Sequence, residues 1–379
     1  MTQAKLIYGC GADSFYATKL EMHDDYIWFM DEKGETHILL NALEIGRGKK
    51  VAKVDHVHAI TDIIAAMESA GHTDFALKDI VTYFVNSYGV DTVEVPKNFP
   101  AGAMVDLQSK GLKINVKQTT FFESRIIKTA EEIEKIRTCQ QINEQAFARA
   151  FEVLQAASIN KDLSLSWQGN PLTSEIIQGL MNSKNAEQGC IGFNGGPIVA
   201  CGAQAADPHN RGTGLLYANE FIIIDSFPHG RNAYNGDLTR TVLKGEASDW
   251  HLDLYNAVKT AQQMGLDTAK AGVTGAEVHK VVDDVLIQAG FKTGTDENGD
   301  SFGFFHGTGH ALGLEVHDDG PGVSPRNKNA LLENMVVTIE PGLYYPGKGG
   351  ARIEDIVAIT KDGVDNLTTL PKKLLVDKL

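Results

Sequence analysis

Four strand-like runs in the second half of the chain each carry an acidic residue at a matching place, and this layout constrains the fold more than any other feature. Phe221-Ile-Ile-Ile224 ends in Asp225, and Asp237 opens the run Asp-Leu-Thr-Arg-Thr-Val. Val336-Val-Thr-Ile339 ends in Glu340, and Glu354 sits inside Ala351-Arg-Ile-Glu-Asp-Ile-Val. Each pair of runs reads as a hairpin-like strand pair. One acid at a strand end is ordinary. Two pairs with the same layout bring four carboxylates beside apolar strands, where they repel and must either take up protons or share cations. Two divalent ions would balance their charge.

Between the two pairs lies Phe304-Phe-His306-Gly-Thr-Gly-His310-Ala-Leu-Gly-Leu-Glu-Val-His317-Asp318, which holds three of the twelve histidines. Its glycines Gly307, Gly309 and Gly313 let backbone pack closely around a site. A lone histidine is more often structural, but three in such a stretch beside Asp/Glu pairs point to a metal or acid–base site. Oxygen-rich ligands with one imidazole suit Mn²⁺, Co²⁺, Zn²⁺ or Fe²⁺.

Composition narrows the class. The 379 residues allow two to three domains. With 35 Lys+Arg against 49 Asp+Glu the net charge is −14, which argues against nucleic acid and anionic lipid as partners. No run is apolar and long enough to span a membrane, and the first residues lack the apolar core of a signal peptide. Cys10, Cys139, Cys190 and Cys201 fit no C-x-x-C pattern, so free buried thiols and a cytoplasmic location are expected, which makes the sequon Asn366-Leu-Thr368 incidental.

Residues 1–122 alternate short strands and helices. Tyr26–Met30 and Thr36–Leu40 read as strands around a turn, Ala59–Ala70 as a helix with Ile60, Ile63, Ile64 and Met67 on one face, and Thr92–Val95 and Lys113–Val116 as further strands. This is a small α/β domain in which no chemistry is read. Residues 123–379 form a second unit. Thr129-Ala-Glu-Glu132 and Thr274-Gly-Ala-Glu277 are capping boxes that open helices. Helices mixed with hairpin-like strand pairs make the fold class α+β.

The run His306 to Asp318 resembles the signature of the proline-specific pita-bread metallopeptidases, prolidase and aminopeptidase P. Thr338-Ile-Glu340-Pro-Gly-Leu-Tyr, Arg352-Ile-Glu354-Asp355 and Asp225…Asp237-Leu-Thr-Arg-Thr look like three more of its blocks, and Lys128 to Arg137 like the lead-in to its catalytic domain. The resemblance implies a creatinase-like N-terminal domain (1–122) before a pita-bread catalytic domain (123–379). It implies five metal ligands: Asp225 on one ion, His310 and Glu340 on the other, and Asp237 and Glu354 bridging the two. A water or hydroxide held between the ions would be the nucleophile. His317 and His209 match histidines that steady substrate and intermediate, His306 matches a third site-lining histidine, and Arg352 matches an arginine that orients carboxylates.

The implied activity is hydrolysis of the bond between an N-terminal residue and proline, by a dipeptidase or an aminopeptidase. Two divalent ions are the expected cofactors, Mn²⁺ first, with Co²⁺ or Zn²⁺ as alternatives. The implied partners are a small peptide with proline in second position and a second copy of the chain in a homodimer. A dipeptidase also needs a cation for the substrate carboxylate; Arg326 is a candidate, with a solvated surface charge as its other reading. Against the family's pattern, the loop after Asp225, Ser226-Phe-Pro-His229-Gly230, reads as one residue longer and bulky at its tip, with His229 read as an exposed loop histidine ahead of a spare site histidine.

Other readings are a methionine aminopeptidase-like enzyme, a creatinase-like amidinohydrolase, or a catalytically inactive binding protein of the same fold. Gly299-Asp-Ser301-Phe-Gly303 spells a nucleophile elbow but follows a polar turn rather than a strand. Asp296 to Gly307 begins like a calcium loop but lacks its glycine and final glutamate. Gly192-Phe-Asn-Gly195-Gly196-Pro197 reads as a turn near the site.

Overall fold

The computed structural model describes residues 3–193 and 196–378, so Asn194 and Gly195 lie outside the described residues, while Gly192 and Phe193, expected in a turn, end a strand Cys190–Phe193. The chain divides into two compact units, Met1–Glu123 and Ser124–Leu379.

The first unit is a six-stranded sheet of β1 (Lys5–Gly9), β2 (Tyr26–Met30), β3 (Thr36–Leu40), β4 (His56–Ala59), β5 (Thr92–Pro96) and β6 (Lys113–Lys117). Their order across the sheet is β4-β3-β2-β1-β5-β6. β2 pairs antiparallel with β1 and β3, and the outer pairings β3–β4, β1–β5 and β5–β6 are parallel. Strand alternation sends Ile27, Phe29 and Leu39 to one face, against Ile63, Met67, Val81 and Phe84 of the helices Ile60–Ser69 and Leu77–Ser87. Tyr26, Trp28, Ile38 and Leu40 pack on the other face with Leu20. Both faces of the inner strands β2 and β3 are therefore dry, which explains their nearly continuous apolar runs, while the edge strands β4 and β6 are partly exposed.

The second unit contains two similar assemblies, each a helix pair laid on an antiparallel sheet. The helices Ala130–Ala156 and Ser174–Glu187 cover β7 (Ile198–Cys201), β8 (Ile222–Ser226) and β9 (Leu238–Val242), burying Phe147, Phe151, Met181, Ile222, Ile224 and Leu238. The helices Asp249–Thr268 and Gly275–Gln288 cover β10 (Val336–Ile339), the hairpin of β11 (Gly342–Tyr345) with β12 (Gly349–Arg352), and β13 (Asp355–Ile359). Both capping boxes form: Thr129 and Thr274 accept from the amides of Glu132 and Glu277, whose carboxylates reach back. Each cap contributes about 1 kcal/mol to its helix.

Strand parity then places the acids. Ile222 and Ile224 face the helices, so Asp225 on the same strand faces away from them. Val337 and Ile339 face their helices, so Thr338 and Glu340 face away. Glu354 departs from the expectation: it lies in the break between β12 and β13 rather than inside a strand. Its amide is held by the carbonyl of Thr239 at 3.1 Å, which ties that break to the first sheet. The thiol expectation also needs one correction. Cys139, Cys190 and Cys201 are free and buried, but Cys10 is free and partly exposed.

Ser301 of the apparent nucleophile elbow lies in a two-residue strand that closes a hairpin with Gly294–Thr295, with no helix after it. No helix among the described residues is long and apolar enough to cross a membrane.

Candidate metal centre

The histidine-rich stretch is positioned by lying along the edge of β10. Thr338 N donates to the carbonyl of His310 at 2.9 Å, Glu340 N to that of Thr308 at 2.7 Å, and Leu312 N to that of Val336 at 3.1 Å. Gly309 is required for this approach, because a Cβ there would stand 1.8 Å from the carbonyl oxygen of Thr338. The pairing brings the His310 ring beside Glu340 and the Asp225/Asp237 hairpin.

The result is one cleft of about 1210 Å³ that takes in Asp225, Asp237, His310, Glu340 and Glu354 together with His209, His306, His317 and Arg352. One ligand atom each from Asp237, His310 and Glu354 lies within 4.8 Å of the others. His310 Nε2 is 3.5 Å from Asp237 Oδ2 and 3.6 Å from Glu340 Oε1. Its Nδ1 faces the Ala311 carbonyl at 3.1 Å and so carries the proton as donor, leaving Nε2 to face the carboxylates. That is the tautomer a metal ligand needs.

Neighbouring side chains hold one oxygen each of Asp225 and Glu354 and leave the other open. Arg352 Nη2 donates to Asp225 Oδ2 at 2.7 Å, and Thr239 Oγ1 donates to Glu354 Oε2 at 2.7 Å. Asp225 Oδ1 and Glu354 Oε1 are buried with no hydrogen-bond partner among the described residues. Such oxygens are costly unless a cation meets them. The donor set fits divalent metal: four carboxylates, one imidazole with its Nε2 inward, and two buried oxygens without donors.

Electrostatics carries the same message. Burial pushes Asp237 up to about 6, with the charge of Asp225 adding to the shift. Burial likewise pushes Glu340 up to about 7 and Glu354 well above the usual range, each helped by the neighbouring carboxylates. Burial opposes charge on His310, but its bond to Asp237 and the charge of Glu340 outweigh this and hold it at about 9. Without a metal ion the cluster must gather protons to be buried at all.

The remaining expected residues fall into place around this floor. His306 has both ring nitrogens engaged: Nδ1 with its neighbour's carbonyl at Gly307, 2.7 Å away, and Nε2 with Tyr344 Oη at 3.0 Å. Since Nδ1 donates, Nε2 accepts from the Tyr344 hydroxyl, whose oxygen in turn accepts from Arg352 Nη1 at 2.9 Å. Burial lowers His306 to about 4, so it is a neutral link in this chain. The His317 ring stands edge-on to His310 at 4.2 Å, and desolvation followed by the charges of His310 and His209 keeps its pKa below the usual value. His209 is exposed at the rim, in a turn where its amide donates to Asp207 Oδ1 at 3.0 Å.

Two expectations change. His229 is not an exposed loop histidine. Pro228–Gly230 forms a strand against Cys190–Phe193, and Asn235 Oδ1 receives His229 Nδ1 at 3.1 Å, which sets His229 and Phe227 on the cleft wall. Arg326 is exposed and absent from the cleft lining, where Arg211 stands instead.

Sequence reasoning also passed over Tyr344, Thr239 and Gln140. Gln140 grips Asp237 from both sides, accepting from its amide at 3.0 Å and donating to its carbonyl at 2.9 Å. Arg240, 1% exposed, donates to the Glu354 carbonyl at 2.6 Å and to Asp355 Oδ1 at 2.8 Å. The Thr-Arg signal in Asp237-Leu-Thr-Arg was visible but carried no geometry.

The segment bearing His317 is anchored by Asp318. Its carboxylate pairs with Arg125, lies 3.5 Å from Lys128 Nζ and accepts from Leu314 N at 3.2 Å. The side chains of Arg125, Lys128 and Asp318 are 3%, 3% and 2% exposed. Asp318→Asn would leave two buried cations under-compensated and is expected to destabilise the protein by about 3 kcal/mol in denaturant unfolding. An unchanged unfolding midpoint would show that the segment is held by other contacts.

Comparison with known proteins adds a lineage to this geometry. Residues 134–361 match the profile of metallopeptidase family M24. The chain is 32% identical over 251 residues to a protein of Pyrococcus furiosus named Xaa-Pro dipeptidase, covering 66% of this chain and 65% of that one. It is 33% identical over 257 residues to an uncharacterized peptidase, YqhT, of Bacillus subtilis, again covering 66% and 65%. The matched stretch thus spans 65% of the length of these two relatives. The crystal structure of an X-Pro aminopeptidase from Thermotoga maritima superposes with a TM-score of 0.82 at 27% identity, covering 98% of this chain and 97% of that one. The fold is also that of a prolidase from Pyrococcus furiosus, at a TM-score of 0.79 and 23% identity over 98% of this chain and 97% of that one.

Proposed function

From a chain that belongs to metallopeptidase family M24 and has the pita-bread fold of its structural neighbours, we propose a dinuclear metal-dependent peptidase that hydrolyses the bond between an N-terminal residue and proline. The observation that carries the reading is the pair of buried carboxylate oxygens, Asp225 Oδ1 and Glu354 Oε1, left without donors beside Asp237, Glu340 and an inward-facing His310 Nε2. In this reading Asp225, Asp237, His310, Glu340 and Glu354 would hold the two ions. Mn²⁺ is the first expectation. Bound there, two divalent ions would supply an activated water and polarise the scissile carbonyl.

The chain's own residues do the rest. Arg352 and Thr239 fix Asp225 and Glu354 by one oxygen each and so aim the other into the cleft. Arg352, Tyr344 and His306 form one hydrogen-bonded wall that keeps the guanidinium in place. His317, neutral near pH 7, stands beside His310 where it can donate to a developing oxyanion of the substrate, and His209 at the rim completes that side. Phe227, Phe305 and Leu314 give apolar walls for the proline ring, whose amide has no N–H to satisfy. Arg211, which also donates to the Gly196 carbonyl at 2.8 Å, is the cleft arginine that a free substrate carboxylate would meet. The N-terminal unit is assigned as the creatinase-like domain. The assignment extends to a cytoplasmic homodimer, the location supported by the free thiols and the dimer by the family resemblance.

The test is hydrolysis by metal-stripped protein with Mn²⁺ or Co²⁺ restored. Xaa-Pro and Xaa-Pro-Yaa peptides are compared with Xaa-Ala controls. Cleavage should require metal and favour proline by about a hundredfold or more. Dipeptide cleavage alone identifies a dipeptidase, and release of the first residue from the tripeptide an aminopeptidase. Metal uptake without cleavage of any proline peptide would contradict the assignment and favour a binding protein of the same fold.

A further inference from the structure

The N-terminal unit, in which sequence showed no chemistry, carries a second cluster of metal-ligating side chains. Parallel pairing of β3 with β4 sets His37 opposite His56. Their rings stack at 4.7 Å with 15° between planes. Glu35, just before β3, reaches back so that its Oε2 is 3.5 Å from His56 Nε2. One ligand atom from each of Glu35, His37 and His56 lies within 4.8 Å of the other two. Asp55 lies outside this group, and its Oδ2 accepts from both the amide and the hydroxyl of Thr36.

His37 is the informative member. It is 0% exposed, walled by Phe29, Phe84 and Tyr88. Its Nδ1 meets His58 Nε2 at 3.2 Å, while its Nε2 is buried with no hydrogen-bond partner among the described residues. If Nδ1 donates to His58, Nε2 presents a lone pair to a place with no donor. If His58 donates instead, Nε2–H is buried without an acceptor. A stacked pair of structural imidazoles leaves one of these penalties standing. A cation at Nε2 removes it and selects the first tautomer, with His58 in the supporting position that metal-bound histidines commonly give a neighbour.

We propose that Glu35, His37 and His56 bind one divalent transition-metal ion, Zn²⁺ in class, that fastens the edge strand β4 to β3. Two imidazoles and one carboxylate favour Zn²⁺ over Mg²⁺ or Ca²⁺, with water completing the shell. The Glu35 and His56 side chains are 52% and 45% exposed, so the ion enters from solvent on that side while His37 holds it from within.

Full-length wild-type protein, His56→Gln and Glu35→Gln are loaded with Zn²⁺ in competition with a chelator of micromolar affinity, and bound zinc per chain is counted. Both substitutions are at half-exposed side chains, where the fold is expected to tolerate them. Wild type should retain one more zinc per chain than either variant, whose affinity at this site should fall at least about tenfold. Mn²⁺-dependent peptide hydrolysis should be unchanged, which separates this site from the cleft. His58→Gln, which keeps all three ligands, should retain the extra ion with weaker affinity. Equal zinc content and affinity in wild type and His56→Gln would overturn the proposal.

Discussion

Glu354→Gln is expected to abolish metal-dependent hydrolysis while leaving the metal-free protein at least as stable as wild type. The carboxyl of Glu354 is 2% exposed, one of its oxygens is held by Thr239, and the other has no partner among the described residues. Asp237, Glu340 and Asp225 all press its pKa upward after burial itself. An amide of the same shape removes that repulsion, and a gain of about 1 kcal/mol in the metal-free state is the expected size. Activity should fall on the order of a thousandfold, about 4 kcal/mol in transition-state terms. Saturating metal should stabilise wild type by about 3 kcal/mol at a hundred times its dissociation constant and the variant by much less. Paired thermal melts with chelator and with Mn²⁺ therefore cross over between the two proteins. A variant less stable than wild type under chelation would make Glu354 a structural hydrogen-bonding group.

The second large effect is on pH. Asp237 and Glu340 sit at about 6 and about 7 instead of the ordinary 3.8 and 4.5, and Glu354 moves the same way. A raised carboxyl pKa means that the folded state holds its proton more tightly than the unfolded chain does. Its contribution to stability is complete below the unfolded value and disappears as pH rises through the folded one. His310 has the same sign: its contribution is present below 6.5 and lost through about 9. The metal-free protein should therefore lose stability from pH 5 to pH 9. Each pKa unit is worth about 1.4 kcal/mol, so the total loss amounts to several kcal/mol. Mn²⁺ competes with the same protons, so its stabilising effect should grow over that range and flatten the profile. Denaturant unfolding of chelated protein at the two pH values measures this. Equal stability would mean that the carboxylates do not gather as described.

The strand periodicity in the sequence carried much of this arrangement because parity aims side chains. Ile222 and Ile224 had to face a helix, so Asp225 could not, and Val337 and Ile339 did the same for Glu340. Parity fails where a strand breaks. Glu354 reads from sequence as part of a strand but lies between two, held by the Thr239 carbonyl, a contact that spans more than a hundred residues of sequence. His229 reads from sequence as an exposed loop histidine, because nothing local announces its strand partner. The pairing of Pro228–Gly230 with Cys190–Phe193 turned it onto the cleft wall. The hydrogen-bonded chain from Arg352 through Tyr344 to His306 joins residues whose spacing follows no helix or strand period. The histidines of the N-terminal unit were invisible for a different reason. His37 and His56 meet only through a parallel ladder, and parallel partners lie in register without any local pattern announcing them.

Where divalent ions bind in the second unit decides whether it is a two-metal hydrolase. Anomalous scattering from crystals of the metal-stripped protein soaked in Mn²⁺ would locate them directly. Two peaks should appear in the cleft, one against Asp225, both against Asp237 and Glu354, and one against His310 and Glu340. A single peak elsewhere, or none with the cleft carboxylates intact, would contradict the two-ion centre and the hydrolytic function built on it.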